Sequence, residues 1–143
     1  MAETAQIERP LAVEALFERY HVGWETRDAD LIASLHAPDT IFCLHDGSDA
    51  VAGREALRAH CRGLFATYDF SLERERLLFG PDHWVFEWTM LLSLAEPDGT
   101  PFTARVRMLD VITLDAHGEV LRKDVYPNGA EMAAAFARAG VAR

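Results

Sequence analysis

Four side chains with exchangeable protons occupy places where the hydrophobic pattern calls for apolar ones. Tyr20 stands in a helical stripe with Val13, Leu16, Phe17 and Trp24. His60 and Cys61 share a helix side with Leu57 and Leu64 in "GREALRAHCRGLFATY". Asp110 interrupts "RVRMLDVITL" on the strand face that carries Val106, Met108, Ile112 and Leu114, while Thr103, Arg105, Arg107 and Thr113 take the other face. An unpaired buried carboxylate is costly, so Asp110 carries the strongest signal. Convergent polar groups in an apolar concavity describe a small-molecule site. Asp110, Tyr20, His60 and His45 in "LHDG" are the candidate groups for proton transfer. Trp24, Phe86, Trp88 and Met108 form the apolar walls.

Each residue also has a structural reading. Tyr20 can be a core aromatic whose hydroxyl reaches a backbone carbonyl. His60 can be a satisfied core histidine, and Cys61 a small buried hydrophobe. Asp110 can belong to an ion pair across the last hairpin. A two-residue turn at Ala116-His117 sets it opposite Lys123, giving a salt bridge. A three-residue turn sets it opposite Asp124, giving two carboxylates that share a proton.

The elements that must position these groups follow from periodicity. A first helix starts near Pro10, which suits a first helical turn. Asp28 caps a short second helix carrying Leu31, Ile32 and Leu35. "HAPD" ends that helix, "TIFCLH" is a first strand, and the segment from Gly53 is a third helix. Four strands follow: a charged one at 70–79 that belongs on an edge, then 83–94, the Asp110 strand, and 119–126. "AEMAAAFARAG" closes the chain as a helix. Helices before an antiparallel meander imply an α+β domain, with helices covering one face of a curved sheet.

The chain has 143 residues, half of them hydrophobic, with a formal net charge of −9 and no basic block. One domain over 1–143 is expected, with a flexible N-terminus at 1–9 and a C-terminal helix and tail at 129–143. Nucleic acid and anionic membrane are excluded as main partners. There is neither a membrane-length apolar run nor a signal peptide. Two cysteines make no disulfide framework, so a cytoplasmic location is expected. No HxH, HExxH or Cys/His spacing was found to support a metal, and no cofactor is expected.

"ERYHVGWETRDADLIASLHAPDTIF", followed by "GREALR", resembles the opening of the nuclear transport factor 2-like superfamily. That group includes the SnoaL-like polyketide cyclases and the ketosteroid isomerases. The resemblance spans Leu11 to about Phe136. It implies a cone-shaped α+β barrel, a mainly antiparallel sheet wrapped around helices with a deep apolar pocket, often in a homodimer. Against the ketosteroid isomerases, Tyr20 falls on the oxyanion-hole tyrosine and Asp110 on the aspartic acid that its apolar site keeps neutral. His60 and Cys61 fall on pocket-lining positions. The general-base position is Leu44, which takes no proton. Leu121, Lys123 and Val125 are placed inward. The resemblance implies an enzyme of that type, in which Asp110 and Tyr20 donate to an oxygen gaining negative charge, His45 or His60 is the candidate base, and an apolar carbonyl or hydroxylated compound is isomerised, cyclised or dehydrated; the alternative is a non-catalytic ligand-binding or dimerisation domain on the same fold.

Overall fold

The structure, a computed structural model, describes residues 11–141. The expectations for 1–9 and Pro10 lie outside the described residues. Four helices and six strands follow in the order α1 (Val13–Glu25), α2 (Ala29–Ser34), β1 (His36–Leu44), β2 (Val51–Ala52), α3 (Arg54–Thr67), β3 (Asp69–Phe79), β4 (His83–Ala95), β5 (Pro101–Leu114), β6 (Val120–Pro127) and α4 (Gly129–Arg138). The strands form one sheet in the order β2-β1-β6-β5-β4-β3. Its pairs are antiparallel except β1 with β6, which run parallel. The sheet is curved and unclosed, and the domain is the expected α+β cone.

Local chemistry accounts for the element ends. Asp28 caps α2, accepting from the Leu31 N–H at 3.0 Å. Asn128 caps α4 in the same way through the Glu131 N–H. The charged strand β3 is an edge of the sheet, with Arg74 and Arg76 paired to Glu18 and Glu87. Arg27, at φ 56, points its guanidinium at the carbonyls of Phe65 and Tyr68, tying the α1–α2 turn to the end of α3. No helix among the described residues is long and apolar enough to cross a membrane.

Two expectations need correction. "HAPD" is already strand: α2 stops at Ser34, and β1 begins at His36, with Ala37 before Pro38 in extended backbone, and is irregular in register up to Ile41. In the last hairpin Asp110 faces neither Lys123 nor Asp124. Its partner is Val125, and Lys123 lies opposite Ile112. The turn does hold three residues, with Asp115 N–H donating to the Glu119 carbonyl. A bulge between Thr113 and Leu114 then shifts the register once more. Leu121 is the extra residue; it turns outward, 39% exposed, while Lys123 and Val125 point inward.

Candidate active site

A cavity of ≈ 150 Å³ lies between the helices and the concave face of the sheet. Helix α1 contributes Phe17, Tyr20, His21 and Trp24 to its lining, four residues at the spacing that puts side chains on one helical face. Strand β4 contributes alternate residues, among them Trp84, Phe86 and Trp88. Met108 and Asp110 come from β5, Lys123 and Val125 from β6, and Phe42 and Leu44 from β1. Met132 and Phe136 of α4 complete the wall. Aromatic rings pack edge-on at its base, with Phe17 5.5 Å from Trp84 and 5.0 Å from Phe86.

One continuous polar chain crosses this apolar wall. The Trp88 indole N–H donates to Asp110 Oδ1 at 3.0 Å. Lys123 Nζ lies 3.7 Å from Asp110 Oδ2, a diagonal contact that the long lysine stem spans. The same ammonium donates to the Tyr20 hydroxyl at 3.3 Å and sits 4.1 Å over the Trp24 ring. Tyr20 is in turn 2.9 Å from His36 Nε2, and His36 Nδ1 is 2.8 Å from Thr40 Oγ1. Thr40 donates its hydroxyl proton to the Leu121 carbonyl at 3.3 Å, which fixes every step behind it. Its oxygen accepts from His36 Nδ1–H, leaving Nε2 to accept the Tyr20 proton. The Tyr20 hydroxyl is therefore committed to His36 as a donor and to Lys123 as an acceptor.

Burial sets the protonation states along this chain. It lowers His36 to about 3, with Lys123 and Arg54 adding to the effect, so the imidazole is neutral. It raises the Asp110 carboxyl above the ordinary range, against the pull of Lys123 and the Trp88 hydrogen bond. Burial also works to lower the Lys123 ammonium, but Tyr20 and Asp110 outweigh it and hold the amine up. Lys123 and Asp110 titrate as one coupled pair, the carboxyl shifted up by burial and the amine held up by its partners. Burial raises the Tyr20 phenol as well, so it stays protonated.

The structure brings Asp110, Tyr20, Trp24, Leu44, Phe86, Trp88, Met108 and Lys123 to the cavity wall. His45, His60 and Cys61 do not line it. The His45 ring turns outward, hydrogen-bonded to Asp124 at 2.8 Å and stacked on Tyr126 at 4.0 Å. The outward turn is a parity effect: Leu44 points in, so its neighbour points out. His60 packs half-buried against the far side of the Phe42 wall, with ring centroids 5.1 Å apart, and burial lowers its pKa. Cys61 is fully enclosed, and burial pushes its thiol up to about 11.

Two histidines escaped the sequence reading. His36 belonged to a segment read as a helix end, although it anchors the polar chain. His21 follows Phe17 by one helical turn, a spacing that could have found it. It is buried, lines the cavity, and packs on Phe17 and Phe86. Its Nε2 has no hydrogen-bond partner, the Glu25 carboxylate standing 3.5 Å away. Burial lowers its pKa, with Arg74 adding to the shift and Glu25 and Glu18 opposing it.

The family model of the SnoaL-like domain matches residues 17–123, most of the chain. This protein belongs to the SnoaL-like domain family. Among solved structures, the SnoaL-like domain is similar to a protein assigned to the SnoaL-like polyketide cyclases, from Shewanella putrefaciens. The two are 11% identical with a TM-score of 0.74, over 87% of this chain and 96% of the other. It is also similar to a protein of ketosteroid isomerase-like fold from Catenulispora acidiphila, solved with trimethylamine. There the identity is 17% and the TM-score 0.72, covering 94% of this chain and 96% of that one. A third relative is SalBIII, an epoxide hydrolase/cyclase-like enzyme with a role in pyran ring formation in the polyether salinomycin. It is 18% identical, with a TM-score of 0.67, over 83% of this chain and 92% of that one. At these identities the likeness establishes the fold. No curated protein matches the chain.

Proposed function

We propose that this SnoaL-like domain is a cofactor-independent enzyme that carries out acid–base chemistry on a compact, apolar carbonyl or hydroxylated compound. The observation that supports this is the Trp88–Asp110–Lys123–Tyr20 chain on the wall of an otherwise apolar cavity. Isomerisation, cyclisation and dehydration all build negative charge on an oxygen, and the Lys123 ammonium and a protonated Asp110 are the groups that would stabilise it. Tyr20 acts through Lys123, since its own proton goes to His36. His21, kept neutral by burial on the same wall, takes the role of base in place of His45 and His60. A volume of ≈ 150 Å³ suits a single ring; a cavity of about that size holds benzene in an engineered protein.

The second reading is a ligand-binding domain without catalysis. The observation favouring it is Leu44 on the cavity wall, where the resemblance calls for a general base. One pair of measurements separates the two. Cyclic six-membered ketones are titrated against tryptophan emission, and exchange of their α-protons in D₂O is followed by NMR. An enzyme of this kind gives saturable quenching and exchange above the buffer rate, with Lys123→Met and His21→Phe both removing the exchange. Saturable quenching without exchange establishes the binding domain. Quenching by none of a broad panel of ring compounds would sink both readings.

A further inference from the structure

The outer face of the β1–β6 pair carries a group of side chains that the cavity does not use. Phe42 and Leu44 of β1 and Lys123 and Val125 of β6 point inward, so the residues between them point out. Cys43 and Asp124 are direct partners across the two parallel strands. His45 follows Cys43 by two residues and shares its face. Cys43 on β1, His45 just past its end with its backbone N–H donated to the Val125 carbonyl, and Asp124 on the neighbouring strand set three donors around one point. Here a thiol sulfur, an imidazole nitrogen and a carboxylate oxygen all lie within 4.8 Å of one another.

The surroundings orient these donors. The His45 ring lies flat on Tyr126, at 4.0 Å and 8° between planes, with its Nε2 2.8 Å from Asp124 Oδ1. Arg122 grips the same carboxylate from the other side, Nε on Oδ2 at 2.9 Å and Nη2 on Oδ1 at 3.0 Å. A hydrogen-bonded outer partner of this kind is what holds a ligating carboxylate in place, although its charge also weakens the attraction for a cation. Cys43 and Asp124 are half-buried and His45 is exposed.

We propose that Cys43, His45 and Asp124 form a site for a divalent transition-metal ion, zinc by the chemistry of its donors. A thiolate, an imidazole and a carboxylate match the mixed S/N/O preference of Zn²⁺. Tetrahedral zinc at its usual bond lengths needs donors about 3.5 Å apart, a closure within reach of side-chain rotation from 4.8 Å. Three protein ligands leave the fourth position to water. Binding replaces the His45–Asp124 hydrogen bond with two bonds to the metal and releases the Cys43 thiol proton to solvent, so affinity rises with pH. The site stands on the opposite face of the sheet from the cavity and is independent of the catalytic reading.

The test uses the untagged, metal-free full chain. Zn²⁺ is titrated in competition with a chromophoric chelator, and Co²⁺ is added separately and followed by absorption. The expected result is one equivalent per chain and a thiolate-to-cobalt charge-transfer band. Cys43→Ser should abolish the band, and His45→Ala and Asp124→Asn should each weaken Zn²⁺ binding by at least about tenfold. His117→Ala, an exposed histidine elsewhere, should change nothing. Should a variant fail to fold, alkylation of wild-type Cys43 with and without Zn²⁺ decides, since a metal-bound thiolate is protected. A cobalt spectrum without a thiolate band, unchanged affinity in Cys43→Ser, or unprotected Cys43 would overturn the proposal.

Discussion

Replacing Asp110 with asparagine tests the most unusual feature of the site. Asparagine matches aspartic acid in shape, does not titrate, and carries one acceptor and one donor group, as a protonated carboxyl does. Trp88 keeps an acceptor for its indole N–H, now 3.0 Å from Asp110 Oδ1. Lys123 keeps the Tyr20 hydroxyl at 3.3 Å and the Trp24 face at 4.1 Å. Where Asp110 is protonated, the substitution should therefore cost little. The folded pKa is raised above 3.8, its value in the unfolded chain, because burial outweighs Lys123. The folded state then holds a proton that the unfolded state releases. This contribution is fully present below 3.8 and is lost as pH rises through the folded value. The loss accumulates at about 1.4 kcal/mol per pH unit across that window. Asp110→Asn lacks the slope, so it should match the wild type in acid and become the more stable protein towards neutrality. The assay is urea unfolding of both proteins from pH 4 to pH 7, read by tryptophan emission. Subtracting the mutant removes the other carboxylates, which titrate equally in both. A wild-type advantage that grows with rising pH would refute the reasoning. It would mean that the ion pair with Lys123 prevails over burial.

Two further outcomes follow from the same polar chain and its neighbours. Tyr20→Phe removes the hydroxyl that joins His36 to Lys123, leaving the buried His36 Nε2 without its donor and Lys123 with Asp110 and the Trp24 face alone. Urea unfolding should show a loss of about 2–3 kcal/mol, whereas a loss within about 0.5 kcal/mol would mean that water replaces the hydroxyl. The two cysteines should differ in the native, metal-free protein: half-buried Cys43 reacts with an alkylating agent, while Cys61, enclosed and raised to about 11, reacts only on unfolding. Mass spectrometry of the digest locates the label, and modified Cys61 in folded protein would contradict the packing of α3.

The fold was legible where a single period dominates. The even alternation of Trp84, Phe86, Trp88 and Met90 fixed the inner face of β4, and the charged run at 70–79 identified an edge strand. The same alternation marked Asp110 as buried without saying what it meets. Its contacts depend on a three-residue turn followed by a bulge, and a bulge leaves no periodic trace. His36 was lost for a related reason. Its strand is irregular between His36 and Ile41, so neither a period of two nor one of 3.6 describes the segment. His45 and His60 were attractive as histidines near the right elements, but direction decides. One turns out by strand parity and the other sits behind Phe42.

The outward bulge at Leu121 has a consequence for how the last hairpin finds its register. If Leu121 were taken into the ladder opposite Thr113, β6 would slip by one residue against β5. Asp124 would then swing inward to meet Asp110, and Arg122 would enter the core beside it, while Lys123 would go to solvent. Such a hairpin sets two carboxylates side by side in the driest part of the molecule and removes the amine that Tyr20 and Trp24 receive. An apolar residue at position 110 would suit either pairing equally, whereas Asp110 favours the one that brings Lys123 rather than a second carboxylate to it.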